Sequence, residues 1–150
     1  MATITSSNLR EFTAGLDEMM EKDVREFAGM AVRRVALAID RALVMSTPVG
    51  NPDLWKRPAP KGYVGGRARA NWIPTLGTPA TSEVDRRDKS GAATIALLTP
   101  ITAKFRLGDG TIFLSSNIPY INRLNEGHST QAPSGFVEMA IEQGLREAFR

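Results

Sequence analysis

The chain has 150 residues, enough for one ordinary domain, and its 42% apolar and 23% charged residues are typical of a globular rather than a disordered protein. It contains no cysteine and one histidine, which excludes disulfides, thiolate metal sites and histidine-rich metal centres. The net charge of +3 is uneven, because residues 51–100 carry eight basic and four acidic side chains.

A long helix is predicted over residues 8–46, where apolar side chains recur at helical spacing. Gly15 and the charged residues 21–23 allow a break in this helix. Pro48 disfavours helical backbone at the preceding residue and is expected to end the helix near Ser46. We expect one face of the helix to be buried against a sheet that includes Trp72 and Phe113; its expected core residues are Phe27, Ala31, Val35 and Ile39.

Residues 48–66 are rich in proline and glycine and follow neither a helical nor a strand period. A loop of this length inside a small domain is typically functional or disordered, and the sequence leaves both readings open. Its aromatic and basic side chains favour docking onto this subunit or a neighbour. The expected interface residues of the loop are Trp55, Lys56, Arg57, Lys61 and Tyr63.

Two short strands are predicted farther along the chain, over residues 67–76 and 111–116, where β-branched and aromatic residues alternate or cluster. Between them, residues 91–105 are predicted to form a helix that Pro100 kinks or splits, with a strand over 94–97 as the alternative.

The C-terminal part is predicted to contain a short helix or strand over residues 120–124 and a turn at Gly127. An amphipathic helix over residues 136–149 closes the chain. The expected fold class is α+β, with a long N-terminal helix packed on a small, mainly antiparallel sheet and a closing C-terminal helix. These elements are expected to form a single domain over residues 1–150.

No catalytic or metal-binding pattern is recognisable. His128 and Ser129 are adjacent, which by itself gives no relay geometry for a nucleophile. Asp85 and Asp88 lie in a charged run without a second carboxylate cluster. We therefore expect no catalytic residues, no metal and no cofactor. The N-terminus lacks the features of a signal peptide and no uncharged run could cross a membrane, so we expect a soluble product assembled inside a cell.

Three segments, taken in order, resemble a known family. Residues 47–49 form a Thr-Pro-Val turn, and residues 66–72 follow a Gly-x-x-Arg-x-x-Trp pattern. Residues 117–137 contain Asn-x-x-Tyr and then Glu-Gly-x-Ser-x-Gln-Ala-Pro-x-Gly. This order resembles the tail-completion, or neck, proteins of tailed bacteriophages that are similar to minor tail protein Z. The resemblance covers residues 24–148.

The resemblance implies an α+β subunit that assembles as a ring, usually a hexamer, where the tail meets the head of the virion, after synthesis in the host cytoplasm. The implied partners are further copies of the chain, a tail-tube or tail-terminator protein, and the head-side connector proteins, with no membrane. The matching positions are expected to serve structure: Arg69, Asn71, Trp72, Asn117, Tyr120, Glu126, Gly127, Ser129, Gln131 and Pro133.

Residues 51–65 have no counterpart in many relatives, so the family does not indicate what this loop contacts. We expect it to reach an adjacent subunit or an acidic patch on a partner, with non-specific contact to DNA in the channel as the competing interpretation. A second function from a different class is a small nucleic-acid-binding protein that uses the basic residues of 51–100. Phosphate binding would weaken steeply with salt, whereas apolar ring contacts would not.

Overall fold

The computed structural model describes residues 6–150 and has the predicted α+β architecture. A short 3₁₀ turn over Pro52–Leu54 lies inside the proline-rich loop. The helices and strands, in chain order, are α1 (Ser6–Ser46), α2 (Arg67–Ala70), β1 (Ile73–Leu76), α3 (Ala92–Ala103), β2 (Ile112–Ser115), α4 (Ile121–Asn125) and α5 (Phe136–Ala148).

Helix α1 is one continuous helix of 41 residues, so the break allowed at Gly15 or at 21–23 does not occur. It ends at Ser46, as predicted, because Thr47 precedes a proline and leaves the helical conformation. The Thr47 amide still donates to the Leu43 carbonyl at 3.1 Å and so closes the last turn.

The core lies between the C-terminal part of α1 and helices α3 and α5. Its buried side chains are Ala42, Leu43, Val44, Trp72, Leu98 and Ala140. Helices α1 and α5 approach closely at Gly144, where a Cβ atom would lie 2.5 Å from the Ile39 Cα, so only glycine allows this spacing. The main partners of α1 are therefore helices, while the sheet adds Leu114 at the margin of the core.

The expected burial along α1 is correct at one end of the helix and wrong at the other. Ile39 packs on the core, and Ala31 and Val35 are half-buried. Phe27 is 70% exposed, because neither the sheet nor α5 extends that far along the helix. Helical period identifies an apolar face but carries no information on which part of it the same chain covers.

The sheet consists of two antiparallel strands in the described part of the chain, with Ile73 opposite Ser115 and Leu76 opposite Ile112. The predicted strand over 111–116 is confirmed, but the strand predicted over 67–76 is wrong in its first half. Residues 67–70 instead form α2, because Gly66 has a φ of +94° and starts a helical turn that the Ala70 amide closes at 3.0 Å.

The helix predicted over residues 91–105 is confirmed, but a split at Pro100 does not occur. Helix α3 continues through Pro100, with Leu98 and Thr102 buried on either side of it. Residues 121–125 form a short helix rather than a strand, and α5 closes the chain over α1. Gly127 forms the expected turn with a φ of +82°.

Candidate functional site

The proline-rich loop folds back over its own beginning. Asn51 caps the 3₁₀ turn by accepting a hydrogen bond from the Asp53 amide at 3.1 Å. Farther along, the rings of Trp55 and Tyr63 meet edge to face with centroids 4.8 Å apart. Both rings lie over Gly50, where a Cβ atom would collide with the Tyr63 hydroxyl. The loop therefore has a defined path, held by contacts among its own residues.

Gln131 of the C-terminal segment holds the start of this loop in place. Its Oε1 atom accepts from the Asn51 amide at 3.0 Å, and its Nε2 atom donates to the Val49 carbonyl at 3.3 Å. One amide side chain thus satisfies a donor and an acceptor of the loop backbone. The two segments are eighty residues apart in sequence, so this contact joins two of the three family-like segments.

A surface cavity of about 760 Å³ lies between the loop and the C-terminal segment. The loop residues and the matching positions of the C-terminal segment meet in its wall, including Trp55, Lys61, Tyr63, Tyr120, Ser129 and Gln131. Tyr120 is half-buried there, and burial raises the pKa of its hydroxyl, while nearby charges such as Arg67 partly oppose this shift. The loop and the matching C-terminal residues therefore form one surface.

Arg69 binds the end of α1 to the base of the loop. Its guanidinium donates to the carbonyls of Met45 at 3.1 Å, of Thr47 at 2.8 and 3.1 Å, and of Lys89 at 2.6 Å. A positive charge at these carbonyls also interacts favourably with the negative end of the helix dipole. The side chain thus links the end of α1 to the segment before α3.

Trp72 and Thr47 make a second link at the same place. The Trp72 indole donates to the Thr47 Oγ1 atom at 2.7 Å, and the Thr47 hydroxyl donates to the Leu43 carbonyl at 2.6 Å. All three residues are buried. Trp72 is therefore a large side chain of the core, but the expectation that it lies in the sheet is wrong, because β1 begins one residue later.

Asn71 connects α2 to the irregular segment before α3. Its amide donates to the carbonyls of Arg67 at 2.9 Å and Val84 at 3.0 Å, while its Oδ1 atom accepts from the Val84 amide at 2.8 Å. The side chain is fully buried, and these three hydrogen bonds offset the cost of removing its amide group from water.

The other matching positions hold turns at the surface. Asn117 donates to the carbonyls of Ala80 at 2.9 Å and Ser82 at 3.2 Å. A Cβ atom at Gly127 would lie 3.0 Å from Ser134, and its positive φ favours glycine in any case. Glu126 lies 3.4 Å from the His128 imidazole on the exposed side of this turn, and Pro133 is also exposed.

Sequence reasoning missed two polar residues that order the site. Asn125 accepts from the Val137 amide at 2.9 Å and donates to Glu138, which fixes the start of α5. Asp88 accepts from the amides of Gly91 at 2.9 Å and Thr94 at 2.8 Å and thereby caps α3. The Asp–Ser pair shortly before an apolar helical run is a signal of such a cap.

Two buried carboxylates have opposite electrostatic environments. Burial by itself raises the pKa of Asp88, but hydrogen bonds from Thr94, Ser90 and Gly91 outweigh it and lower that pKa to about 2. Burial raises the pKa of Asp40 to about 6, opposed only in part by the Thr102 hydroxyl, which donates to it at 3.0 Å. Asp40 faces the interior between α1 and α3, so its titration affects stability rather than the exposed surface.

The basic residues of the middle third divide into two groups. Arg67 pairs with Glu83 at 2.6 Å, and Arg87 pairs with Asp85 at 2.8 Å. Arg86 donates to the Ala70 carbonyl at 2.6 Å, and Arg69 binds the carbonyls described above. The exposed bases of the loop are Lys56, Arg57 and Lys61. Half of the positive charge is therefore used within the fold, and the loop holds much of the rest.

The N-terminal half of α1 is a second surface of interest. Its large apolar side chains are between 42% and 70% exposed: Leu9, Phe12, Leu16, Met19, Met20, Val24, Phe27 and Met30. Contiguous apolar area of this extent marks interaction sites on soluble proteins. We call this set the α1 stripe.

Among residues 6–150, no group of three or more His, Asp or Glu side chains could hold a metal ion. None of the helices in this described part is long and apolar enough to span a membrane. The chain matches no known family model and is significantly similar to no curated protein and no solved structure.

Proposed function

We propose that this chain is a structural, non-catalytic subunit of the neck of a tailed bacteriophage. In this role it forms a ring, a hexamer on the family pattern, that completes the tail and joins it to the head-side connector proteins. The observation that carries the proposal is the convergence of the three family-like segments. Thr47 of the first contacts Arg69 and Trp72 of the second, and Val49 contacts Gln131 of the third.

This convergence supports the resemblance because the matching residues are far apart in sequence. A chance match in three separate segments gives no reason for their side chains to share hydrogen bonds. Here the matching side chains together hold the end of α1 and the start of the loop. An inserted loop on such a base is presented in a fixed orientation, as a subunit that contacts defined neighbours requires.

The exposed α1 stripe supports an assembling subunit in particular. A monomer that leaves eight large apolar side chains in water forgoes a large hydrophobic stabilisation, which a neighbour in a ring would supply. In the proposed neck, the remaining partners are the tail-tube or tail-terminator protein on one side and the connector on the other. The location is the head–tail junction of the virion, after assembly in the host cytoplasm.

The alternative function, nucleic-acid binding, has less support from the arrangement of charges. The side chains of Arg67, Arg69, Arg86 and Arg87 bind acidic or carbonyl oxygens of the same chain. A phosphate would have to compete with these partners. Of the eight bases of residues 51–100, Lys89 and the three of the loop remain exposed without an acidic partner, so a gel-shift assay at low and high salt is expected to show weak, strongly salt-dependent binding at most.

The proposed role is tested in phage particles by replacing Trp55 and Arg57 together with alanine. We expect fewer tailed particles in electron micrographs while the isolated variant stays folded by circular dichroism, because the Trp55–Tyr63 contact lies outside the core and Arg57 is exposed. The matched control replaces Phe149 and Arg150 with alanine, since they are an exposed aromatic–arginine pair at the C-terminus, outside the loop. Cryo-electron microscopy that finds no ring of this chain at the neck would overturn the proposed function. If the Trp55 and Arg57 variant joins tails normally, the loop has no part in that function.

A further inference from the structure

The α1 stripe is the exposed part of an apolar pattern that runs along the whole helix. Apolar residues occur at positions 9, 12, 16, 20, 24 and 27 and continue at 31, 35, 38 and 42, always three or four residues apart. The later positions turn toward α3 and α5, and the earlier ones are exposed. At 1.5 Å per residue the uncovered part, from Leu9 to Met30, is about 32 Å long.

Acidic side chains border the exposed part of the stripe. At 100° per residue, Asp23 falls within the stripe, and Asp17 and Glu26 fall along its two edges. Arg10 and Lys22 fall about 20° and 40° outside these edges, and Arg25 falls on the opposite side of the helix together with Glu11, Glu18 and Glu21. Residues 9–30 carry six acidic and three basic side chains in all. The surface that covers the stripe should therefore be apolar at its centre and basic at its rim.

The proline-rich loop has these properties. Its exposed apolar side chains are Leu54, Trp55, Tyr63 and Val64. The bases Lys56, Arg57 and Lys61 lie among them, and Asp53 is the single acid of residues 48–66. The chain thus carries two exposed apolar surfaces of opposite charge, at different places on the same subunit.

We propose that the α1 stripe of one copy docks on the proline-rich loop of the next copy. This inference rests on the proposed ring and names the contact that forms it. Pairing the stripe with itself across a two-fold axis would bring two acidic rims together, and pairing two loops would oppose their bases. Pairing the stripe with the loop joins opposite charges around an apolar centre. A contact between two different surfaces is head-to-tail, and repetition of it closes a ring when the rotation allows.

Cysteine cross-linking tests this contact directly, since the chain has no cysteine of its own. Val24→Cys places a thiol in the stripe and Val64→Cys places one in the loop, and both valines are exposed. Val32→Cys is the matched control, because Val32 is an exposed valine of the same helix that lies outside the α1 stripe, about 80° around the helix from Val24. The purified single variants are mixed in pairs under mild oxidation, and circular dichroism verifies that each is folded.

The expected result is a disulfide-linked dimer from Val24→Cys with Val64→Cys. Its yield should exceed that of Val32→Cys with Val64→Cys roughly tenfold, the ratio that about 1.4 kcal/mol of preference gives. Each single variant alone should yield little dimer. Efficient self-linking of Val24→Cys would show a two-fold stripe contact and overturn the inference, as would equal yields from the two mixtures.

The double variant Val24→Cys, Val64→Cys separates this inference from the proposed function. In particles it should give a ladder of linked copies on a non-reducing gel. Particles that hold the chain in a neck ring but give no ladder contradict the stripe–loop contact and leave the function standing. Particles without the chain at the neck contradict the function, and the mixtures of purified variants then still decide the contact.

Discussion

Replacement of Arg69 by methionine is expected to destabilise the subunit and to loosen the base of the loop. Methionine keeps most of the apolar stem but removes all four hydrogen bonds to the carbonyls of Met45, Thr47 and Lys89. Hydrogen bonds from a charged group contribute about 1.5–3 kcal/mol each. The site is half-buried, so water can replace part of them, and we expect a total loss of about 3 kcal/mol.

The measurement is thermal unfolding followed by circular dichroism. For a domain of 150 residues, 1 kcal/mol corresponds to about 2–4 °C, so the melting temperature should fall by about 6–12 °C. Arg69→Lys should recover less than half of this loss, because an ammonium group cannot reach three carbonyls in a planar arrangement.

Arg67→Met is the matched control for this experiment. Arg67 lies two residues earlier on the same short helix, but its partner Glu83 is exposed, and such surface pairs contribute about 0.2–1 kcal/mol. Its melting temperature should therefore change by less than about 4 °C. Equal effects of the two substitutions would refute the reasoning that the Arg69 carbonyl contacts hold the end of α1.

Two further predictions concern the packing of α1. Asp40→Asn should stabilise the protein at pH 7 by about 2–3 kcal/mol, because burial raises the pKa of Asp40 from 3.8 to about 6 and the wild type therefore loses stability as the pH rises from about 4 to 6. The free energy of unfolding should fall across that range in the wild type and not in the variant. Parallel curves for the two proteins would contradict the assignment. Gly144→Ala should lower the free energy of unfolding by at least about 2 kcal/mol, since its Cβ would meet the Ile39 backbone. Gly15→Ala is the control; its Cβ has open space, so it should raise stability by up to about 1 kcal/mol. If urea unfolding shows that Gly144→Ala is tolerated, α1 and α5 are farther apart than described.

The elements with a strong period were predictable, and the connections between them were less so. Helices α1 and α5 follow from apolar spacing, and β2 follows from its β-branched residues. The turn of α2 was missed because a single left-handed glycine, Gly66, outweighs the strand-like alternation after it. Local pattern also cannot show that α1 lacks a cover over half its length, since burial depends on where distant helices end.

The candidate site was predictable as a set of residues but not as an arrangement. The loop aromatics and the matching positions were all expected to matter, yet nothing in their spacing indicates that Gln131 would bind the backbone next to Gly50. Such contacts arise from the packing of α5 on α1, which brings the C-terminal segment to the start of the loop. Asp88 and Asn125 were overlooked as capping residues, because in a sequence such residues look like any exposed polar side chain.

The uninterrupted course of α1 also has a geometrical consequence for any ring built by the stripe–loop contact. The helix carries the stripe near one end and leads into the loop at the other, so its length fixes the distance between the two docking surfaces of each subunit. Eleven residues make about three turns and roughly 16 Å, which would lengthen this distance while returning the stripe to nearly the same side. In a ring built by this contact, the length of α1 would set the size of the bore, and an insertion or deletion of eleven residues would resize the ring while keeping the same side chains at each contact.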